Sequence, residues 1–375
     1  MSSESRAMSS VYLEWAKLQS VAPYNLATSG IAGYPLSALP VTVQDLEING
    51  PDSYGHKPLL ARFAAKCNVT PDHVVTTNGT SMANHLAMAA ILSPGDDVLV
   101  EFPAYGLLLE VASYLGAKIH RFNRLPENQY RIDLEEVRGK LTAKTRLIVL
   151  TNLHNPSGAL VDRETLLGLG ELAAEVGARV LVDEVYLPML PEFDFALPSS
   201  SAVHLGSQFV VTSSLTKAFG LSGIRAGWIL AEPALAKRIW RLNDLFNATP
   251  VHPGELLACV ALDNLEKIGD RARTLLATNW PVLKAFLAGR SDLEVVMPPG
   301  GTVVFPRLLR DSGNGSVREF CQMLRSDYQT AVVPGEFFEM PDHFRIGIGG
   351  EPEMTAKALG RLGTALDDYA DRIGR

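Results

Sequence analysis

Short β-branched runs alternate with longer stretches of helical spacing over roughly the first two thirds of this chain. The runs lie at residues 74–77, 98–101, 118–122, 146–151, 179–183, 208–213 and 226–231. Between them, apolar residues recur at helical intervals over 81–92, 105–115 and 162–176, with Gly177 where a helix C-cap belongs. Strands alternating with helices imply crossover connections, and crossover helices cover both faces of a mostly parallel sheet. The pattern therefore predicts one large α/β domain around a seven-stranded sheet. From about Leu235 it changes to longer helices broken at Pro250 and Pro253. Residues 270–287 read as one extended amphipathic helix that Pro281 kinks or splits. Shorter strands at 293–297, 302–306 and 344–348, with helices at 316–328 and 353–373, predict a smaller α+β domain. The expected division is an arm counted with the small domain (1–45), the large domain (46–265) and the small domain (266–375). No repeat or low-complexity linker separates them, so the domains are expected to pack closely.

Composition narrows the function classes. A chain of 375 residues is too long for a single small core. Its net charge of −7 is spread without long runs of one sign, which argues against nucleic acid or an anionic membrane as partner. Cys67, Cys259 and Cys321 are far apart and odd in number. They make neither a disulfide framework nor a zinc spacing, so no metal and a reducing, cytoplasmic compartment are expected. The first residues lack the order of a signal peptide, and even the stretch 98–111 is interrupted by Glu101, Pro103 and Glu110.

Ligands of open α/β sheets bind beyond the carboxyl ends of the strands. The polar residues just past the apolar runs are Asn78-Gly79-Thr80-Ser81, Asn155, Asp183 with Tyr186, and Ser213-Ser214 leading to Lys217. A lysine just past a buried strand is partly desolvated, which lowers its pKa and makes it a candidate nucleophile. Taken alone, it reads better as a surface residue capping a loop. Its company changes that reading, because Ser214, Thr216 and Arg225 suit a phosphate bound beside a reactive amine. Asp183 has two open readings, a structural ion pair or cap, and the partner of a cationic ring nitrogen. At ~4 Å and an effective dielectric near 20, such a pair interacts by ~4 kcal/mol before desolvation. That holds a pyridinium protonated, as an electron sink requires. Gly79-Thr80-Ser81 is either an anion-binding turn at a helix start or a plain turn with Ser81 as N-cap. The Gly168-Leu169-Gly170 stretch mimics a dinucleotide fingerprint, but it lies inside a helical pattern and follows no strand.

Taken in order, these residues resemble the class I/II aminotransferases, pyridoxal-phosphate enzymes of fold type I. Ser214-Leu215-Thr216-Lys217 with Arg225 is similar to the family's S-x-[ST]-K…R pattern, which implies a Schiff-base lysine and a phosphate-binding serine and arginine. Asp183-Glu184-Val185-Tyr186 resembles the D-x-x-Y step, implying an aspartate at the pyridine nitrogen and a tyrosine at the phenolic oxygen. Asn155-Pro156-Ser157-Gly158 resembles the N-P-[TS]-G turn, whose asparagine meets the same oxygen and often the substrate carboxylate. Tyr105 matches the aromatic that stacks on the cofactor, and Gly79-Thr80-Ser81 the phosphate turn. Tyr54 resembles the tyrosine that crosses a dimer to the neighbour's phosphate. Arg345 resembles the small-domain arginine that clamps the substrate α-carboxylate, and Gly30 lies in a segment loosely like the family's substrate loop. The resemblance spans residues 26–348. It departs from the pattern in lacking the proline usual two residues before Asn155, and no second arginine matches one that would hold a dicarboxylate side chain.

The resemblance implies a homodimeric enzyme that moves an amino group between an amino acid and a 2-oxo acid, with Lys217, Asp183 and Tyr186 as catalytic residues. A β-lyase, decarboxylase, racemase or oxidase on the same cofactor is the nearest alternative. A non-catalytic sensor is more remote, since no helix-turn-helix or basic face precedes the α/β region.

Overall fold

A computed structural model of the chain describes residues 6–51, 53–193, 200–309 and 315–374. The seven apolar runs pair into one sheet. Its strands are β1 (Val74–Asn78), β2 (Asp97–Phe102), β3 (Lys118–Asn123), β4 (Thr145–Thr151), β5 (Arg179–Asp183), β6 (Phe209–Ser214) and β7 (Ala226–Leu230). They lie in the order β1-β7-β6-β5-β4-β2-β3. Pairing is parallel from β6 across to β3, and β7 runs antiparallel to both of its neighbours. The expected mostly parallel sheet is therefore present, with one reversed strand. The central strands β5 and β6 are buried almost throughout, which is why they read as continuous apolar runs. Edge strand β3 alternates between exposed and less exposed positions.

Of helices α1 (Val11–Leu18), α2 (Lys57–Lys66), α3 (Thr80–Ile91), α4 (Gly106–Tyr114), α5 (Leu134–Lys140), α6 (Arg163–Glu175) and α7 (Pro233–Asn243), α3, α4, α6 and α7 lie where the spacing predicts helix, while α1, in the arm, α2 and α5 are additional. One sheet face is covered by α3, α4 and α7 through residues such as Leu86, Leu108 and Ile239. The other is covered by α2 and α6 through Phe63, Leu166 and Leu169. Asp162 caps α6 by accepting from the Thr165 amide at 2.8 Å, and Gly177 leaves it at φ +68°. The sheet is thereby a rigid floor, since each such buried leucine contributes about 1.5–3 kcal/mol.

Helix α8 (His252–Asp263) is followed by α9 (Leu265–Ala288), which is longer than expected and carries Pro281 inside it without being split. The first half of α9 packs in the large core through Ile268 and Leu275, and its second half joins a separate core through Leu283 and Leu287. That second core also holds α10 (Val317–Tyr328) and α11 (Pro352–Ile373). Beside them, β8 (Val303–Val304), β9 (Val333–Pro334) and β10 (Phe344–Gly347) form an antiparallel sheet in the order β8-β10-β9. The strands expected at 293–297 and 302–306 shrink to two residues each, because Pro298, the glycines at 300 and 301, and Pro306 interrupt pairing.

The arm is ordered by a small separate pairing and by the second core. Tyr24–Asn25 pairs with Thr330–Ala331, Leu26 joins the second core, and the Gly347 amide donates to Leu26 O at 2.6 Å. A Cβ on Gly347 would lie 1.9 Å from Thr28 O, so only glycine admits the arm this close. The arm then carries Ser29 and Gly30 to the carboxyl ends of the large sheet.

Candidate active site

The carboxyl ends of β4, β5 and β6 open on a cavity of about 240 Å³. Asp183 ends β5 and is 3% exposed. One carboxylate oxygen accepts from Asn84 Nδ2 at 2.8 Å and the other from the Val185 amide at 3.1 Å. Asn84 is itself held by Thr212, whose hydroxyl donates to Asn84 Oδ1 at 2.6 Å. These partners are neutral, and burial pushes the Asp183 carboxyl up to about 6 despite them. A cation set against it would reverse that shift.

Lys217 faces the same cavity, half-buried. Burial holds its amine below the ordinary lysine range, with Arg345 and Arg225 pushing the same way and Tyr12 and Asp183 opposing. Its backbone is fixed by the Ile31 amide, which donates to Lys217 O at 2.8 Å. Gly30 does not line the cavity. It packs on the lysine instead, where a Cβ would sit 3.3 Å from Lys217 Cα and Cδ.

At one end the walls are shaped for an anion. Gly79 stands at φ +81° as the N-cap of α3, so the helix begins at Thr80, and Ser81 lies in its first turn rather than capping it. A Cβ on Gly79 would meet Arg225 Nη2 at 2.3 Å, and one on Gly227 would meet Gly79 C at 2.5 Å. The two glycines thus let β1, β7 and the arginine close on one spot. Arg225 donates to Asn78 O at 3.0 Å and Ser222 O at 3.2 Å, which leaves its guanidinium otherwise exposed. Thr80 Oγ1 is buried without a hydrogen-bond partner. Ser214 is 1% exposed, and its hydroxyl accepts from the Thr216 amide at 3.3 Å while keeping its own proton to give. Two hydroxyls, an arginine and the first amides of a helix converge here. Such a set suits an anion.

The other end is assembled from distant parts. Arg345, on β10, is 1% exposed. Its Nη1 donates to Asn155 Oδ1 at 2.7 Å, and its Nη2 to Ala27 O and the Tyr12 hydroxyl at 3.1 Å each. Those partners are neutral, and Nε has none. A buried arginine is stable only if an anion or enough dipoles compensate it, so this site favours a carboxylate. Asn155 is fixed from below, because its amide donates to Thr151 Oγ1 at 2.9 Å. Thr151 in turn donates through its hydroxyl (2.6 Å) and amide (2.8 Å) to Glu101, which pairs with Arg124 at 2.6 Å. The turn lacks the usual proline. His154 staples it instead, bonding Pro103 O at 2.9 Å and Ser157 Oγ at 2.6 Å, and burial keeps its imidazole neutral.

Tyr105 lines the cavity at the start of α4, and the Tyr186 hydroxyl pairs with Ser29 Oγ at 2.7 Å. Tyr54 is not brought to this cavity. It lies on the surface, accepting from Arg241 at 2.7 Å and donating to Asp244 at 3.2 Å.

A family model described as aminotransferase class I and II matches residues 47–362. The chain belongs to that family. Capreomycidine synthase of Streptomyces vinaceus is 30% identical over 92% of this chain and 90% of its own length. Arginine–pyruvate transaminase AruH of Pseudomonas aeruginosa is 29% identical over 80% and 78%. A solved PLP-dependent aminotransferase from Streptococcus suis superposes with a TM-score of 0.87 at 27% identity, covering 96% of this chain and 97% of that one. The chain is a fold-type I enzyme whose cofactor is pyridoxal 5′-phosphate.

The residues of this aminotransferase-family chain fit that cofactor. The partnerless Thr80 hydroxyl and the glycine cradle suit its phosphate, and Asp183, dry and without a cation, suits its ring nitrogen. Sequence reasoning missed Tyr12, Ser29, Asn84, Thr151 and the Glu101–Arg124 pair. Asn84 carried a signal, since an amide four residues after Thr80 shares that face of α3 with the phosphate turn.

Proposed function

We propose that this enzyme is an aminotransferase that moves an amino group between an amino acid and a 2-oxo acid. One observation carries the reading. Among the described side chains lining the cavity, burial pushes the phenols of Tyr105 and Tyr186 up, so both keep their protons. Asp183 is committed to the ring nitrogen. With the Tyr12 hydroxyl taken up by Arg345, that leaves Lys217, whose depressed amine would suit taking a proton from the substrate Cα and giving one to the cofactor carbon bonded to the same nitrogen. Bound in this cavity, pyridoxal phosphate supplies an electron sink for the charge that develops at Cα.

The other residues bind and orient. Thr80, Ser81, Ser214 and Arg225 would hold the phosphate. Asn155 and Tyr186 would meet the phenolic oxygen, and Tyr105 would cover the ring. Arg345, aligned by Asn155, takes the substrate carboxylate and so decides which Cα bond faces the ring. A second reading, another reaction of an amino acid on the same cofactor, is favoured by the similarity to capreomycidine synthase, a relative not named for amino transfer.

An absorbance scan of the purified enzyme against a panel of amino acids tests the choice. Amino transfer predicts conversion of the resting cofactor band to that of pyridoxamine phosphate, with one equivalent of oxo acid. A product formed without that conversion would replace the first reading by the second.

We further propose a cytoplasmic homodimer with an arm over 1–45 and a large domain from 46; the boundary expected at 265/266 moves into α9, because Ile268 and Leu275 pack in the large core and Leu283 and Leu287 in the second. Supporting the dimer, Leu245 and Phe246 are exposed directly after Asp244, the residue that Tyr54 bonds. No helix among the described residues is long and apolar enough to cross a membrane.

A further inference from the structure

Arg345 does not line the cavity that it is proposed to serve. Two side chains that do line it, Asn155 and Tyr12, bond its guanidinium. Asn155 is pinned through Thr151 to a buried ion pair. Tyr12 is held differently. It sits on α1, none of whose eight residues is buried. Its ring leans edge-on against Tyr105 at 5.6 Å and Phe337 at 5.7 Å, and its hydroxyl takes one Nη2 proton of Arg345. In a guanidinium, the Nε proton and one Nη2 proton point side by side, and that fork is the two-pronged site for a carboxylate. Here one prong, Nε, has no partner, while Nη2 is spent on Ala27 O and on Tyr12.

We propose that Tyr12 is a specificity-determining residue that gates the carboxylate site. Its phenol holds an Nη2 proton of Arg345 in the free enzyme and yields it to an incoming carboxylate, and α1 shifts as it does so. The phenol offers a neutral oxygen on one prong, whereas a carboxylate brings a full negative charge and can take both prongs, so the exchange runs toward the ligand. The cost of displacing the phenol sets how tightly any carboxylate is held, and it is not paid by an amine that lacks one. This inference rests on Arg345 being the carboxylate clamp.

The test is calorimetric titration of the cofactor-loaded enzyme with propanoate, which carries the carboxylate and no amine. Tyr12→Phe keeps the ring and removes the competing hydroxyl. Propanoate should then bind about tenfold tighter, about 1.4 kcal/mol, while the response of the cofactor spectrum to n-propylamine stays the same. Unchanged or weaker propanoate binding overturns the gate. Arg345→Lys in protein of normal cofactor content separates the two ideas. If propanoate still binds that variant, the clamp reading fails and the gate falls with it. If binding is lost there but Tyr12→Phe changes nothing, the gate alone is wrong. In the unmutated enzyme, saturating propanoate should raise deuterium uptake over residues 11–18, and an unchanged uptake would also overturn the proposal.

Discussion

The phosphate end of the cavity is made by turns that leave neighbouring strands of one sheet, whereas the carboxylate end joins three parts of the chain. Gly79 and Thr80 follow β1, Ser214 ends β6 and Arg225 precedes β7, and these strands are adjacent in the order β1-β7-β6. Arg345 instead reaches Asn155 across 190 positions, Ala27 across 318 and Tyr12 across 333. Contacts of that span form only after the arm and both cores are in place, and a weakly buried element among them opens at little cost. The difference assigns the work. Under the proposed assignment, the end that would anchor the cofactor is preformed, and at the end that would choose the substrate only α1 is weakly buried.

Lys217 lies between the two ends, and its loss should separate chemistry from both. Lys217→Ala is expected to lower turnover by about 10³-fold or more, the range for losing a group that is both nucleophile and acid/base. Propanoate affinity should stay within about twofold if the carboxylate end is built independently. Borohydride reduction and peptide mapping should attach the cofactor to the Lys217 peptide of the unmutated enzyme. Label on another lysine would remove the assignment.

Asp183 tests how far the cofactor end is built for its ligand at the chain's own expense. Asp183→Asn should cost turnover about 10²-fold, because an amide cannot keep a ring nitrogen protonated. Without cofactor the same change should stabilise the fold. The carboxyl stands at about 6 in the native protein against 3.8 ordinarily. The native state therefore holds that proton more firmly than the unfolded chain does. Stability from this group is full below pH 3.8, falls as pH rises through the window to about 6, and stays reduced above it. The gap is worth about 3 kcal/mol. The amide can keep its bonds if Asn84 flips, since the Thr212 hydroxyl can accept as well as donate. Denaturant unfolding of cofactor-free protein should show the variant more stable at pH 8, with the advantage shrinking toward pH 4. Equal stability at pH 8 would mean that the site is wet rather than dry.

The same division governed what the sequence disclosed. Lys217, Asp183 and Thr80 were legible because each follows an apolar run, and β1, β5 and β6 all end on one edge of the sheet. The large sheet was legible because its strands are buried on both faces. Arg345 could be named, but its burial could not, since Tyr12 lies in an arm that reads as polar until the Ser10 cap and the Tyr12–Trp15 spacing are noticed. Glu101 reads as an interruption of an apolar stretch, and Arg124, just past the run 118–122, carries no signal of its own. Only the fold shows them paired, at 0% exposure, under the Asn155 turn. Of the two readings of Gly79-Thr80-Ser81, the one with Ser81 as cap falls away, because Gly79 takes the positive φ and caps α3, which spacing alone does not reveal.

Tyr54 decides whether the phosphate end is truly local. Within one chain it only trades surface hydrogen bonds with Arg241 and Asp244, so Tyr54→Phe should cost under ~1 kcal/mol of stability. If its hydroxyl instead reaches a second subunit's phosphate, the variant loses one bond to a charged group. Cofactor should then dissociate about tenfold to 150-fold more readily, in line with ~1.5–3 kcal/mol for such bonds. Mixed dimers distinguish the two. Pair a Tyr54→Phe chain with a Lys217→Ala chain, so that the only intact lysine belongs to the chain lacking the hydroxyl. A cross-subunit contact predicts normal cofactor affinity at that lysine, because the phosphate there is served by the Lys217→Ala chain's own Tyr54. A contact within the chain predicts that the defect persists in the mixture. Persistence would confine Tyr54 to its surface bonds, leave the phosphate end complete in a single chain, and sharpen its contrast with the carboxylate end. Rescue would show that both ends are composite, one joined across a subunit boundary and the other across the length of the chain.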